Sequence, residues 1–486
     1  MGAEIGDLPE GWVTATVSEV CEINPSKPRT DQYPPDLPVT FVPMPAVNAV
    51  QGAITNPSIR AFADVRKGFT AFRENDVILA KITPCMENGK AAVARGLLNG
   101  LGFGSTEFHV MRSSGAMLPD FIYHFIRQES FRKLAEQEMT GSVGQKRVPA
   151  EYLQNVAIPL PPRHEQKRIV AKVEEALGRV TAARERLAKV PAILKRFRQA
   201  VLAAACSGRL TEGWRERHSN EWHTSAAKPR LHENTPPGGF AEELPSTWLH
   251  GSVSGVSSEI VDCPHSTPKW TIEGEVCLRT TNFRVGRLDL SERRYVSRQT
   301  YQERIGRLQP MPGDVVYSRE GGILGIACVI PKGLQTCLGQ RMMLMRTHVW
   351  FMPAFLMHVL NSPATNKIVE ALTGGTASPH LNVGDVKDFP VPVPPTSEQN
   401  EIIRRVDALF KLADVIEQRL SAASRQVDKL TQAVLAKAFR GELVPTEAEL
   451  ARTEGRDYEP ASVLLDRVRA ERAASTSPKP SRRRKT

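Results

Sequence analysis

Cysteine is scarce in this sequence, and its spacing excludes two common uses. The seven cysteines are an odd number, and no two of them stand as Cys-x-x-Cys. The sequence therefore predicts neither a disulfide framework nor a zinc site. It also has no run of about 18 uncharged apolar residues, so we expect no transmembrane helix. The segment from Met1 to Glu10 lacks the basic start and apolar run of a signal peptide. We therefore expect a cytoplasmic protein.

Catalytic motifs are missing as well. The Gly89-Lys90 pair lacks the leading glycine of a phosphate-binding loop, and Ala91 stands where that motif needs serine or threonine. Gly102-Phe103-Gly104 lacks the third glycine of a dinucleotide-binding fingerprint. Asp76 and Lys81 have no second acid at the spacing of a nuclease site. We therefore predict that the chain is not an enzyme by itself, with no catalytic residue, no metal site and no cofactor of its own.

The strongest positive feature is an internal duplication. Residues 140–210 align with residues 373–443 without a gap, at a constant offset of 233. Further upstream, Leu8-Pro9 with Trp12 is repeated as Leu244-Pro245 with Trp248. A period this long indicates a duplicated domain and not a solenoid. Each copy has a divergent front and a similar back.

The back of each copy has the pattern of a long helix. Pro161-Pro162 and Pro394-Pro395 stand just before it, where proline is tolerated. Apolar residues then recur every seven positions, and each helix of roughly 43 residues would be about 65 Å long. This favours a coiled coil, with antiparallel pairing as the simplest closure; the alternative is two amphipathic helices packed on separate cores. Pro191 should kink the first helix or leave one turn unpaired. The predicted coiled-coil core consists of Val173, Val180, Leu187, Leu194, Val201, Val406, Leu409, Leu420, Val427 and Val434.

These patterns predict an α+β protein with two mixed α/β front domains. Each front is followed by a long helix, and the two helices pair as an antiparallel coiled coil with pseudo-twofold symmetry. The predicted segments are a first front domain (1–160), a first long helix (161–210), a linker (211–243), a second front domain (244–393), a second long helix (394–443), a C-terminal helical segment (444–474) and a basic disordered tail (475–486).

The charge balance points to a polyanionic partner. The formal net charge is +11, although part of the excess lies in the tail at residues 482–485. Polar and basic residues cluster in loops of both fronts, where such side chains can read base edges or hold phosphates; ordinary solvated loops are the alternative. The candidate DNA-contacting residues are Lys81, Thr83, Glu87, Asn88, Lys90, Ser142, Gln145, Lys146, Arg147, Arg279, Asn282, Arg284, Arg319, Gln340, Arg341, His380 and Asn382.

The duplicated pattern resembles the specificity subunits of type I restriction-modification systems. The residues that carry it are Pro159 to Gln166, Val393 to Gln399, and Gln199 to Leu202 with its copy Gln432 to Leu435. The glycines Gly208 and Gly441 complete the set, and the resemblance covers roughly residues 8–475.

The resemblance implies that the fronts are target recognition domains, each reading one half of a split, asymmetric DNA site. The paired helices would fix the unread gap and carry two methyltransferase subunits, which use S-adenosylmethionine for adenine methylation. Two motor-nuclease subunits would bring ATP- and Mg²⁺-dependent cleavage. Base contacts cannot be transferred by motif, because recognition domains of the family diverge.

Two alternatives remain open at the level of sequence. A coiled-coil scaffold, or an unpartnered DNA-binding protein without restriction activity, would keep the helices without the assembly. A stand-alone nuclease or methyltransferase would need a catalytic constellation that the sequence does not show.

Overall fold

A computed structural model describes residues 7–29, 31–142, 144–218, 244–374 and 379–476, with side chains up to residue 474. The first repeat contains β1 (Val13–Thr16), α1 (Val17–Val20), β2 (Cys21–Ile23), β3 (Pro38–Val42), β4 (Val47–Asn48), β5 (Ala53–Ile54), β6 (Ser58–Ala61), α2 (Phe62–Val65), β7 (Thr70–Arg73), β8 (Val77–Ala80), β9 (Ala91–Val93), β10 (Leu101–Gly104), β11 (Phe108–Ser113), α3 (Pro119–Ile126), α4 (Glu129–Gln137), α5 (Ala150–Asn155), β12 (Ala157–Leu160) and α6 (Arg163–Cys206).

The second repeat follows the same order with small differences. It contains α7 (Glu212–Arg217), β13 (Leu249–Ser252), α8 (Val253–Val256), β14 (Ser257–Asp262), β15 (Trp270–Thr271), β16 (Glu275–Leu278), β17 (Phe283–Arg284), β18 (Arg287–Leu288), β19 (Tyr295–Val296), α9 (Arg298–Ile305), β20 (Val315–Ser318), β21 (Ala327–Val329), β22 (Cys337–Leu338), β23 (Met342–Thr347), α10 (Pro353–Leu360), α11 (Pro363–Thr373), α12 (Val383–Lys387), β24 (Pro390–Val393) and α13 (Thr396–Phe439). Two helices end the described chain, α14 (Glu447–Glu454) and α15 (Ala461–Thr476).

Each front contains two four-stranded sheets. One sheet has the same strand order in both fronts, β2-β11-β8-β9 in the first and β14-β23-β20-β21 in the second. The other has the orders β6-β3-β10-β7 and β15-β19-β16-β22, so its fourth strand, β7 or β15, lies on opposite edges in the two fronts. A short antiparallel pair, β1 with β12 and β13 with β24, joins the start of each front to its end. Apolar runs such as Val77–Ala80 are buried at every residue, which explains their strand conformation. The prediction of an α+β fold is confirmed.

The chain folds into two compact units that do not follow the linear order of the segments. The first unit joins the described residues up to Leu187 with those from Ala422 onward, and the second unit consists of Ala188–Ser421. Each unit therefore contains one front, the beginning of one long helix and the end of the other. A start packed beside an end means that the helix segments run antiparallel within each unit, as predicted.

The helix contacts inside each unit include ion pairs. In the first unit, Arg184 binds Asp428 at 2.7 Å; in the second, Arg198 binds Asp414 at 2.6 Å and Glu417 at 2.8 Å. The predicted core residues are buried or half-buried without exception, but Ile416 and Leu430, two further apolar residues at heptad spacing from Leu409, are 38% and 42% exposed. Each helix has 44 residues, close to the predicted 43.

The structure bears on the sequence predictions about Pro191, the linker and a membrane-spanning helix. Pro191 lies inside α6, which is continuous from Arg163 to Cys206, and a kink or one unpaired turn at Pro191 stays a prediction. Part of the predicted linker is helical, since α7 covers Glu212–Arg217. The rest of that linker, residues 219–243, and the tail from residue 477 lie outside the described residues. No described helix is long and apolar enough to cross a membrane.

The Glu-Gln pair at the start of α6 locks the first front onto the helix. The indole N–H of Trp12 donates to one oxygen of the buried Glu165 carboxyl at 2.8 Å, and the backbone N–H of Glu447 donates to the other at 2.8 Å. Burial raises the pKa of Glu165. Gln166 accepts from the backbone N–H of Leu118 at 2.9 Å. These side chains connect residues far apart in sequence, which explains why the motif occurs in both copies.

The second copy repeats this lock with a change of partners. The indole N–H of Trp248 donates to Glu398 at 2.8 Å, and Gln399 accepts from the backbone N–H of Met352 at 2.7 Å. The remaining oxygen of Glu398 accepts from Thr211 at 2.7 Å and from Arg215. An arginine thus neutralises the buried carboxylate in the second unit.

The glycines that end the repeated motif are required by close packing. Gly441 has a φ of +72°, and a Cβ there would lie 2.3 Å from the ring of Pro9. Gly208 has a φ of +80°, and a Cβ would lie 2.4 Å from the ring of Pro245. Any larger residue would be strained and would push the Leu-Pro start of the front away from the helix. The motifs that carry the family resemblance are therefore structural.

Candidate nucleic-acid interface

The first unit brings two predicted loops together at one edge of a sheet. Lys81 follows β8, and its carbonyl accepts from the backbone N–H of Val148 at 2.9 Å. Two residues on, the N–H of Thr83 donates to the carbonyl of Lys146 at 3.0 Å. The loop after β8 is therefore tied to the loop ahead of α5. We call residues 81–90, 105–107 and 140–147 the first recognition edge; Val143 in that loop lies outside the described residues.

The second unit builds the corresponding edge with the same backbone contacts. The carbonyl of Arg319 accepts from the N–H of Leu381 at 2.8 Å, and the N–H of Arg319 donates to the carbonyl of Arg341 at 3.0 Å. Glu320 forms a β-bridge with His380, as Ile82 does with Arg147 in the first unit. We call residues 318–322, 339–341 and 379–382 the second recognition edge; residues 376–378 of the predicted loop lie outside the described residues.

Acids and bases differ at matching positions of the two edges. Glu107 stands one residue before β11, and Arg341 stands one residue before β23. Glu107 binds Arg147 through two bonds of 2.9 Å, and this contact lowers the pKa of the Glu107 carboxyl. Arg341 is exposed, with a positive φ of +67°. The same backbone frame thus presents an ion pair in one unit and a projecting cation in the other.

The remaining candidates of the first edge fall into two groups. Asn88, Ser142, Gln145 and Lys146 are exposed and available to a ligand, and Lys81 is half-buried. Others contact the protein: Thr83 donates to Glu87 at 3.0 Å, and the ammonium of Lys90 donates to the carbonyl of Met44 at 3.1 Å.

Two candidate residues of the second unit are buried and bind other groups of the protein. Asn282 is 4% exposed, and its amide donates to the carbonyls of Asp289 and Glu292 at 3.0 and 3.1 Å. Arg319 is 5% exposed and binds Asp262 through two bonds of 2.9 Å. Although burial disfavours its charge, this carboxylate raises the pKa of Arg319. The sequence did not reveal their burial, because loop position alone does not show it; a DNA contact of these two residues stays a prediction.

The other candidates of the second unit are accessible to varying degrees. His380 and Asn382 are exposed, and the Asn382 amide donates to Asp385 at 3.0 Å. Gln340 is half-buried and donates to the carbonyl of His265 at 2.5 Å. Arg284 binds Asp289 at 3.0 Å. Arg279 is half-buried, beside the second edge.

Four residues that bear on the interface were missed from the sequence. Glu107 and Asp262 each bind a predicted arginine, and only the fold brings these acids into reach. Arg293 and Arg294 line the same depression as Arg279. Their adjacency in an already basic stretch was a signal that could have found them.

A buried ion pair joins two neighbouring strands of each unit at the end opposite the edge. Asp76 accepts two bonds from Arg112 at 2.9 and 2.7 Å, and Asp314 accepts two bonds from Arg346 at 2.8 Å each. Both carboxylates are nearly inaccessible. The pair in the first unit joins the residue ahead of β8 to β11, and the pair in the second unit joins the corresponding β20 and β23. The strands that carry the two edges are therefore held together by equivalent ion pairs.

Each unit also buries a histidine in the helix behind its sheet. Burial lowers the pKa of His124 in α3 to about 3, and the charge of Arg127 adds to this effect. Burial lowers the pKa of His358 in α10 to about 4. Among the described residues, no group bonds to either ring nitrogen of His124 or to Nε2 of His358. Both rings are therefore neutral near pH 7.

Comparison with known proteins agrees with the duplicated architecture. Residues 9–190 and 297–424 match the family model described as the type I restriction modification DNA specificity domain. The chain is 29% identical over 500 residues to the type I restriction enzyme EcoKI specificity subunit of Escherichia coli strain K12, with 99% of each chain covered. It is 31% identical over 350 residues to the EcoBI specificity subunit of Escherichia coli, with 71% of this chain and 70% of that one covered.

Solved structures show the same fold at lower sequence identity. One belongs to a study titled as the structural basis of complex assembly and conformational transition of the type I R-M system; it has 23% identity and a TM-score of 0.68, covering 90% of this chain and 99% of that one. The other is the HsdS subunit from Thermoanaerobacter tengcongensis, with 22% identity and a TM-score of 0.58, covering 91% of this chain and all of that one.

Proposed function

The chain belongs to the type I restriction-modification DNA specificity family, and from this premise we propose that it reads a two-part, asymmetric DNA site. The observation that carries the proposal is the pair of recognition edges, which share one backbone frame but present different side chains. Each unit would read one half of the site. Because the edges differ, the two half-sites would differ in sequence, unlike the palindromic site of a homodimer.

The long helices would set the unread gap between the half-sites. Each helix has 44 residues and contributes to both units, which supports this role. Two half-site contacts held at a fixed separation act as one event, because the second contact is made at high effective concentration. Binding should therefore depend sharply on the spacing of the half-sites.

The chemistry would belong to partner subunits. Two methyltransferase subunits would use S-adenosylmethionine to methylate adenine, and two motor-nuclease subunits would use ATP and Mg²⁺ to cleave DNA. The described part of the chain has no group of three or more residues suited to hold a metal ion, and the sequence carries no recognisable catalytic motif. We place the complex in the cytoplasm, where its DNA substrate is found; the seven unpaired cysteines suit a reducing compartment.

Methylome sequencing tests the proposed function. A host would express the methyltransferase partner with the chain, without it, and with a chain whose residues 244–393 come from a relative. We expect methyladenine at a two-part motif with a fixed gap only when the chain is present. The exchange should change one half of that motif and keep the other. Methylation that is independent of the chain, with all components expressed, would contradict the proposal and favour a scaffold.

A further inference from the structure

A basic depression lies beside the second recognition edge. It has a volume of about 670 Å³ and is open to solvent. Three arginines line it, Arg279, Arg293 and Arg294, against a single carboxylate, Glu292. Ser291 and Tyr295 add hydroxyl groups to the lining. An open site with this excess of positive charge suits a phosphate group.

Strand topology places the depression next to the loop that carries Arg341. Strands β16 and β22 are parallel, and Leu278 lies opposite Leu338 at their carboxyl ends. The chain then continues into Arg279 on one strand and into Gly339 on the other, and the N–H of Gly339 donates to the carbonyl of Leu278 at 2.8 Å. A Cβ on Gly339 would lie 3.8 Å from the Cα of Arg279. The depression and the second recognition edge are therefore neighbours on one surface.

The arginines of the depression lack acidic partners. Within the described chain, Arg279 and Arg294 have no side-chain hydrogen bond or ion pair, and Arg293 contacts only the carbonyl of Leu290, at 3.4 Å. The Nε of Arg279 is buried without a partner. By contrast, Arg298 of the same unit binds Glu275 at 2.6 Å. A buried N–H without an acceptor is costly, and a bound anion would satisfy it.

The first unit has no arginine at the position of Arg279. Its parallel strands β3 and β10 end at Val42 and Gly104, which lie opposite each other. Pro43 follows β3 where Arg279 follows β16. A backbone turn occupies the same place in both units, at Met44–Ala46 and at Thr280–Asn282. The turn is therefore common to both units, whereas the arginine that begins the depression occurs only in the second.

We infer that this depression binds a backbone phosphate of the DNA beside the base pairs that the second recognition edge reads. The inference rests on the proposed function, because it takes the phosphate from the same duplex. The contact would fix the register of the second unit on the DNA without selecting bases, as phosphate contacts do. Its energetic signature is salt-dependent and independent of sequence.

Salt-dependent DNA binding tests the inference. The full chain, co-purified with its methyltransferase partner, would be titrated against a cognate and a scrambled duplex at several KCl concentrations. R279Q/R294Q should reduce the magnitude of the slope of log K against log[KCl] by about 1 on both duplexes, since one phosphate contact contributes about 0.9. R294Q alone, at an exposed position, should reduce it by part of this amount and guards against misfolding. The matched control is R298Q, which removes one exposed positive charge from the same unit and should leave the slope nearly unchanged.

Chemically neutral phosphates locate the contact. Duplexes carrying one methylphosphonate at successive positions should weaken binding by the wild-type chain at a site flanking the second half-site. R279Q/R294Q should be insensitive to that one substitution. If every methylphosphonate affects wild type and variant alike, the depression does not hold a DNA phosphate and the inference fails.

A second arm separates a DNA phosphate from a free one. Thermal unfolding would be followed with inorganic phosphate at constant ionic strength and without DNA. We expect no stabilisation that depends on Arg279 and Arg294; such stabilisation at millimolar phosphate or below would instead make this a site for a free anion. Because the scrambled duplex reports the phosphate contact, the salt slope is readable even if the chain shows no sequence preference, which would count against the proposed function alone.

Discussion

The two recognition edges differ more in charge than in architecture. Both are held by equivalent backbone hydrogen bonds, and an equivalent buried aspartate–arginine pair joins the opposite ends of the same strands in each unit. On the first edge, Glu107 neutralises Arg147, and lysines supply the free charge. On the second edge, Asp262 neutralises the buried Arg319. The unpaired positive charge comes from Arg341 and from the arginines of the neighbouring depression. The hydrogen bonds and ion pairs that position the loops are thus equivalent in the two copies, whereas the side chains of the loops differ.

The largest effect is expected from removing the tryptophan that connects each front to its long helix. Trp12→Ala should destabilise the first unit, and Trp248→Ala the second, by about 3 to 5 kcal/mol each, because each leaves a cavity and removes the donor to one oxygen of a buried carboxyl. Hydrogen exchange resolved by region would measure the loss in each unit. Trp12→Phe keeps most of the volume and should cost clearly less. A loss that spreads equally over both units from a single substitution would argue against two separate locks.

The buried ion pairs should give the next largest effect. Arg112→Met and Arg346→Met should each destabilise their own unit by about 2 to 3 kcal/mol, because a carboxylate remains buried without its counter-ion. Exchange of the amides in β8 and β11, or in β20 and β23, would report it. The matched control is Arg95→Met, whose partner Asp120 forms a pair on an exposed surface and should matter by less than about 1 kcal/mol. Equal effects for all three variants would refute the argument from burial.

The buried histidines predict a loss of stability in mild acid. The folded pKa values of about 3 for His124 and about 4 for His358 lie below the usual value of 6.5. As pH falls below 6.5 the unfolded chain binds protons that the folded chain excludes, so stability is full above this pH and declines toward pH 4. The slope should be up to about 1.4 kcal/mol per pH unit for each histidine.

Leucine substitution at these positions separates this effect from other titrations. His124→Leu should remove the acid sensitivity of the first unit while the second keeps its own, and His358→Leu should do the reverse. Denaturant unfolding at pH 7 and pH 5, followed by regional hydrogen exchange, would measure both. Unchanged acid sensitivity in both variants would show that these rings are not the titrating groups.

The smallest expected effect concerns the lysines of the first edge. Lys81→Gln with Lys146→Gln should lower the salt slope of DNA binding by about 2 and weaken affinity on all sequences alike, if both contact phosphates. Lys133→Gln removes a lysine that binds Glu129 on the same unit and serves as the control. A change in the preferred bases, at an unchanged salt slope, would mean that these lysines read bases instead.

The repeat itself was predictable from the sequence because its constraints are local or strictly periodic. The heptad pattern identified α6 and α13, and all ten named core positions are at least half-buried. The Glu-Gln motif and the terminal glycines were visible as repeated letters. Their role was not, because the partners of Glu165 lie 153 and 282 residues away. Helix α14, with its capping Thr446 and Glu449, lies within the helical segment predicted at residues 444–474.

The candidate interface was only partly predictable. Sequence placed polar residues in loops, and the fold brought those loops together, ahead of α5 in the first unit and of α12 in the second. It could not foresee that Asn282 and Arg319 turn inward, since inward and outward positions of a loop look alike in sequence. Nor could it find Asp262, whose proximity to Arg319 depends on the pairing of β14 with β23.

The sequence by itself therefore determined the duplication, the long paired helices and the family, because periodicity and repeated motifs are properties of order along the chain. Only the tertiary structure decided which charges remain free. Ion pairs form between residues that the sheets bring together across 40 to 60 positions, as with Glu107 and Arg147 or Asp262 and Arg319. Whether an arginine can meet a phosphate depends on whether a carboxylate already holds it, and that is settled by distance in space.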